Sequence, residues 1–170
     1  TVASINLENL DPNDSQSRFE QLADIIINNL NSPTIISFQE VQDNNGSLND
    51  SEVDATKTYT KIIEAINNAD GPTYKYVDIN PIDDKDGGEV GGNIRVGFLI
   101  KDISNIEYAI SNPKDAREAV KFYYQSGEIN LSSNPGRIEP MNFVFNDSRK
   151  SLIFEFVYNK SRIFIINNHW

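Results

Sequence analysis

The order of the apolar segments constrains this chain more than any other feature. Apolar and β-branched runs predict strands at residues 2–7, 34–38 and 74–79. Apolar residues at three- and four-residue spacing predict helices over roughly 16–31 and 52–69. A chain that opens strand, helix, strand, helix, strand is typical of an α/β domain with a mixed sheet.

The remainder of the chain is rich in predicted strands. Residues 93–101 predict a fourth strand, and residues 103–110 are expected to pair with it. Residues 151–158 and 162–168 predict a closing hairpin. The stretch between these strand regions looks irregular, apart from a helix predicted at 114–124.

Composition narrows the chemistry that is available. The 170 residues include no cysteine, which excludes thiol catalysis, thiolate metal sites and disulfides, and which suits a secreted bacterial protein. A single histidine excludes a zinc site built from several imidazoles. Any bound metal would therefore be held by carboxylates, amides and water, which favours Mg²⁺, Mn²⁺ or Ca²⁺.

Charge and hydropathy exclude two further classes of protein. The net charge of −10 argues against a nucleic-acid binder that works through a broad basic patch. It leaves open a metal-dependent nuclease, in which a cation and a few arginines act locally on the phosphate. No segment approaches the run of about 20 apolar residues that crosses a bilayer, so no membrane partner is expected.

Polar residues end three of the predicted strands. They are Asn6 to Asn9 after the first, Gln39-Glu40 after the second and Asn167-Asn168-His169 after the last. Ligand sites in open α/β sheets form beyond the carboxyl ends of strands. Each set, taken alone, is also what a strand shows where it gives way to solvent. Together they combine amides, carboxylates and the only histidine, which favours a site.

These segments carry a resemblance to a known family. The motifs are INLENL (5–10), ISFQEV (36–41) and NNH (167–169), in that order, together with residues 86–99, NPGRI (134–138) and DSRK (147–150). In this order they resemble the first half of the endonuclease/exonuclease/phosphatase family, which includes the deoxyribonuclease I-like enzymes. The glycine-rich stretch and the two later motifs are similar to its secreted bacterial nuclease branch.

The resemblance implies a fold and an activity. The fold would be part of a four-layer α/β/β/α sandwich with mixed sheets, and residues 1–170 would be the N-terminal portion of a single domain. The activity would be hydrolysis of phosphodiesters with Mg²⁺ or Mn²⁺, most simply by a non-specific extracellular nuclease with nucleic acid as substrate. The family's later motifs have no counterpart after His169, so we expect the C-terminal half of the domain to be absent. The isolated chain is then expected to be inactive, and either to associate or to need that half.

The resemblance also implies roles for individual residues. Glu40 matches the metal-binding glutamate, Asn6 matches an asparagine that supports the metal site, and Glu8 is a further candidate ligand. His169 matches a histidine that acts in catalysis or contacts the phosphate, so Glu40, Asn6 and His169 form the candidate catalytic set.

Two arginines are candidates for contacting the substrate phosphate, because a guanidinium offers phosphate a bidentate fork. Arg149 falls near an arginine that contacts DNA phosphate in the family, although it could equally be a solvated turn residue. Arg95 opens a core strand, and the alternative for it is an ion pair with an acidic residue on a neighbouring strand.

Three alternatives remain open at this point. One is a phosphatase or lipid phosphodiesterase of the same family, which the acidic composition favours mildly over a nuclease. Another is a non-catalytic interaction module that keeps the fold. The third is a Ca²⁺ site in the acidic loop from Asp83 to Gly87. That loop departs from the EF-hand spacing, so a solvated loop is the preferred interpretation there.

Overall fold

A mixed four-stranded sheet forms the centre of the computed structural model, which describes residues 1–169. β1 (Val2–Leu10) and β2 (Ile35–Val41) pair in parallel. β2 and β3 (Tyr74–Val77) flank β4 (Arg95–Lys101), and both pair with it in antiparallel. The strand order β1-β2-β4-β3 places the carboxyl ends of β1 and β2 side by side.

Two helices cover one face of this sheet. α1 (Gln16–Asp24) continues as a π-helical turn over Ile25–Asn29, and α2 (Thr56–Asn68) follows β2. Their inner positions recur every three or four residues and are buried against the sheet together with Leu99 of β4. They are Phe19, Leu22, Ala23, Ile26, Tyr59, Ile62 and Ile66.

A second sheet follows in the second half of the chain. β9 (Leu152–Tyr158) and β10 (Ser161–Asn167) form the predicted hairpin. β10 occupies one edge of β9. On the other edge, β5 (Ile106–Glu107) pairs with the C-terminal end of β9, and β8 (Gly136–Arg137) pairs with its N-terminal end. β10 is therefore an edge strand among the described residues, and its last residue lies two positions before His169.

The two sheets bury apolar side chains against each other. Alternate residues of β4, namely Val96, Phe98 and Ile100, share a core cluster with side chains of β9. The rings of Phe98 and Phe154 lie with their centroids 5.8 Å apart. Burial of one such large apolar side chain contributes about 1.5–3 kcal/mol, so this layer joins the halves of the structure.

A two-stranded ribbon lies over the outer face of the second sheet. β6 (Phe122–Gln125) pairs with β7 (Glu128–Leu131). Leu131 and the preceding Val120 are buried with Ile153 of β9. These elements confirm the predicted α/β class. The first sheet is mixed, whereas all the described pairs of the second sheet are antiparallel. Among residues 1–169, no helix is long and apolar enough to cross a membrane.

Two predictions about the middle of the chain are wrong. Residues 103–110 do not pair with β4, because β2 and β3 already occupy both of its edges, and only β5 forms there, against β9. The helix predicted at 114–124 does not form. Val120 instead donates its N–H to the carbonyl of Arg137, and the aromatic run from Phe122 adopts the extended conformation that aromatic residues favour.

Candidate functional site

Three strand ends converge on one carboxylate oxygen. Asn6 and Gln39 are register partners in the parallel pair of β1 and β2, so Glu40 lies beside Asn6. Asn6 Nδ2 donates to Glu40 Oε1 at 2.9 Å, and His169 Nε2 lies 3.3 Å from the same oxygen. The structure therefore brings together the three residues of the candidate catalytic set.

A break in β2 aims the Glu40 side chain. The register between β2 and β4 shifts between Phe38 and Val41, and Glu40 has a left-handed backbone with φ of 58°. Such irregularities re-aim side chains at the edges of sheets. The Glu40 side chain keeps 23% of its surface exposed, and within the described residues its Oε2 atom accepts no hydrogen bond. This oxygen remains available to a ligand.

The amide of Asn6 is oriented by the turn that follows it. Its Oδ1 accepts from the backbone N–H of Glu8 at 2.8 Å, so its Nδ2 must face Glu40. Arg18 holds the same turn by donating to the carbonyls of Leu7 and Glu8. Asn6 thus orients Glu40 rather than presenting its oxygen outward. The Glu8 side chain is exposed, and only its backbone takes part in the contacts seen here.

His169 lies between a positive and a negative group. Partial burial lowers the pKa of its imidazole below the ordinary 6.5, and the positive charge of Arg149 lowers it further, while Glu40 opposes both effects. The ring is therefore neutral at neutral pH. Glu40 Oε1 can accept only from a protonated Nε2, so this contact favours the tautomer in which Nδ1 carries a free lone pair.

Arg149 brings an uncommitted positive charge to the same place. Its positive charge acts on the imidazole of His169 and lowers the pKa of that ring. Its Nε is buried without a hydrogen-bond partner within residues 1–169, and the structure shows no ion pair for the guanidinium in that range. The glycine-rich loop also approaches it, since a Cβ added at Gly88 would lie 3.5 Å from Arg149 Nη1.

Arg95 occupies a different position from the predicted phosphate contact. Its side chain is 1% exposed and lies 3.5 Å from the carboxylate of Asp78. The guanidinium also donates to Asn80 Oδ1 and to the carbonyls of Val53 and Asn93. This guanidinium has no surface for a substrate phosphate, which corrects the prediction and matches the alternative of an ion pair with a neighbouring acidic residue.

The strand-end motifs contain an amide network that sequence reasoning did not assign to the site. Gln39 Nε2 donates to Asn167 Oδ1 at 2.6 Å. Asn167 Nδ2 donates to the carbonyls of Phe38 at 2.9 Å and Gly97 at 3.0 Å. Ser4 Oγ donates to Gln39 Oε1 at 3.2 Å. The alternation of side chains along a strand could have predicted this network. Gln39 lies four residues after Ile35, so both side chains project from the same face of β2, toward the second sheet.

The donor chemistry fits a hard divalent cation held by few protein atoms. Within residues 1–169, no group of three or more acidic or histidine side chains is placed to hold a metal ion. Mg²⁺ commonly keeps several waters and binds through one or two carboxylates together with substrate phosphate oxygens. The free Oε2 of Glu40 meets that requirement, whereas the amide oxygen of Asn6 is occupied by the backbone N–H of Glu8.

Comparison with known proteins adds no family assignment. No protein-family model matches the chain, and none of the curated proteins matches its sequence. The geometry at the strand ends is therefore what supports a function.

Proposed function

We propose that Glu40, Asn6, His169 and Arg149 form part of an active site that hydrolyses phosphodiesters with a divalent metal, and that the substrate is nucleic acid. One observation carries the proposal. Residues from three separate strands meet at a single carboxylate oxygen, beside an arginine that has no ion-pair partner within residues 1–169. Carboxylate, neutral imidazole and guanidinium are the groups that this reaction needs.

His169 handles the proton in this scheme. Its lowered pKa keeps the ring neutral at neutral pH, and the favoured tautomer leaves the Nδ1 lone pair able to accept. Glu40 fixes the ring through Nε2, as a carboxylate does when it orients a general base. Nδ1 is buried and has no hydrogen-bond partner within residues 1–169. In the completed site the attacking water would give its proton to this nitrogen while its oxygen bonds to phosphorus, the P–O bond to the leaving oxygen breaks, and that oxygen takes a proton from water.

Arg149 and Glu40 have different roles toward the substrate phosphate. The guanidinium of Arg149 binds a phosphate oxygen and neutralises its negative charge. Glu40 Oε2 would hold the metal, and Asn6 keeps the carboxylate in that orientation by donating to Oε1. When bound, Mg²⁺ or Mn²⁺ polarises the phosphoryl oxygen and stabilises the charge that develops there.

The architecture supports extending the proposal to the four-layer sandwich. Helices cover the outer face of the first sheet, and two sheets pack face to face. β1 and β10 are edge strands on the same side, and a groove of about 430 Å³ lies between them, lined by Ser4, Gln39 and Ile166 among others. We propose that further strands pair at these edges to complete the sandwich and the active site.

The test is cleavage of supercoiled plasmid by the full-length protein in Mg²⁺. We expect EDTA to abolish cleavage and Glu40→Gln to lower the rate by at least about 10³-fold, since both remove the metal's electrostatic stabilisation of the transition state. Glu64→Gln, at an exposed position of α2, is the matched control and should behave like the wild type. Cleavage that survives both EDTA and Glu40→Gln contradicts the proposal.

The same assay separates the substrate classes. The net charge of −10 opposes the approach of a polyanion, which favours a smaller phosphoester as the second candidate. RNA, a phosphomonoester and a phospholipid vesicle are therefore run beside the plasmid. Turnover that is fastest on the monoester or the lipid, and that is lost with Glu40→Gln, assigns that class to the site.

A further inference from the structure

A neutral hydrogen-bonded chain crosses the molecule one layer beneath the candidate site. Ser4 lies two residues before Asn6, Gln39 one residue before Glu40, and Asn167 two residues before His169. The bonds from Ser4 to Gln39 and from Gln39 to Asn167 therefore connect the three strands just behind the residues that meet at Glu40 Oε1.

Asn167 fills a gap in the first sheet. Phe38 and Gly97 are the last regular pair before the register of β2 and β4 shifts. Backbone carbonyls at such a break need a donor, because buried polar groups without partners are costly. The amide of Asn167, 2% exposed, supplies both bonds from the opposite sheet. All the hydrogen-bonding atoms of this amide are in use, so its position relative to β2 and β4 is determined.

The contacts between the centres of the two sheets are of another kind. Around Phe98 and Phe154 the sheets meet through apolar side chains, which attract without fixing a direction. Only directional bonds near the site can hold the end of β10 in register with the end of β2. The distance of 3.3 Å between His169 Nε2 and Glu40 Oε1 depends on that register.

We infer that Gln39 and Asn167 are positioning residues, which hold His169 against Glu40 by bonding β10 to β2 and β4. The inference rests on the proposed function, since it concerns the same site. Both side chains are buried, behind the residues that we propose contact the substrate. A reacting group that is misplaced by about 1 Å loses about 100-fold in rate, so loss of these bonds acts on turnover rather than on substrate binding.

The test uses two variants. Gln39→Met keeps the size and shape of the side chain and removes its bonds to Ser4 and Asn167. Asn167→Leu is expected to have the larger effect, because it also removes the bonds to Phe38 and Gly97. In the full-length protein we expect kcat to fall by about 10- to 100-fold while KM stays within about twofold. Asn134→Leu is the matched control, because Asn134 is a buried amide that donates to the carbonyls of Ala109 and Glu155 elsewhere on the second sheet. It should lose comparable stability and keep its kcat.

A second readout needs no catalysis. At pH 8 the ring of the only histidine gives its own NMR signals, and Glu40→Gln should shift them in the wild type. In the Gln39→Met background that shift should shrink toward zero. The inference is overturned if kcat falls no more than in Asn134→Leu, or if Glu40→Gln still moves the ring signals fully. If the wild type hydrolyses no phosphoester, the proposed function fails, and the NMR comparison alone decides this inference.

Discussion

Arg95 in the interior and Arg149 at the strand ends differ in whether other residues pair with the positive charge of the guanidinium. Arg95 is enclosed and has a carboxylate, an amide and two carbonyls as partners. Arg149 is half-buried and has no ion pair within the described part of the chain. The difference teaches that the fold gives the terminal nitrogens of one guanidinium four partners and leaves the other guanidinium without an ion pair in that part of the chain.

The rest of the interior follows the Arg95 pattern. Arg137 and Lys150 both contact the carboxylate of Asp86, at 2.9 and 3.3 Å, and the side chains of Arg137 and Asp86 are buried. Buried charges need such partners, because an unpaired one costs several kcal/mol. The candidate site departs from this rule at Arg149, whose guanidinium has a buried Nε without a partner and no ion pair within residues 1–169, as sites that await a charged ligand do.

Removal of the buried guanidinium should have the largest effect on stability. Arg95→Met leaves the carboxylate of Asp78 and several carbonyls buried without a partner, so we expect a loss of roughly 3–5 kcal/mol in the free energy of unfolding. Burial already raises the pKa of Asp78, and Arg95 is the main group that opposes this rise. Urea unfolding monitored by circular dichroism measures the loss, and a change below about 1 kcal/mol would contradict the structural role.

The same substitution at the strand ends should leave stability nearly intact. Arg149→Met is expected to change the free energy of unfolding by less than about 0.5 kcal/mol, yet to lower kcat/KM by about 100-fold through loss of the phosphate contact. Arg149→Lys should recover part of the rate, because it keeps the charge but loses the fork. A rate equal to the wild type in Arg149→Met would remove this residue from the site.

The smallest expected effects are on the titration of His169. Arg149→Met should raise the pKa of the imidazole and Glu40→Gln should lower it, because each removes one of two opposing charges. In the wild type the folded pKa lies below 6.5, so the unfolded chain binds the proton more tightly. The folded state therefore loses stability as pH falls through 6.5. NMR titration of the ring measures both directions, and shifts of the opposite sign would contradict the geometry.

Local sequence patterns predicted the outer framework well. The period of the apolar residues located α2 and the closing hairpin, and the apolar run before Gln39 located β2. The pairing of residues 103–110 was beyond such patterns, because it depends on which edges of β4 are already occupied. The strand that begins at Phe122 could not be predicted for the same reason, because its partner strand is defined only in the folded chain.

The candidate site was predictable in its residues and not in its contacts. Glu40, Asn6 and His169 could be named from strand ends, and the structure brings them together. Arg95 and Arg149 differ in burial, and the sequence alone does not show which of the two arginines lies in the interior. Asn167 was visible as the end of a strand, but its bonds depend on a break in β2 that no local pattern marks.

The left-handed backbone of Glu40 has a consequence for how this fold would change under selection. With φ at 58°, the position suits glycine better than any residue with a side chain, by about 1 kcal/mol or more. A lineage that no longer needed the carboxylate would gain stability by losing it. Under the proposed function, activity and stability therefore compete at this one residue, and a stabilised variant of the fold would begin with Glu40→Gly.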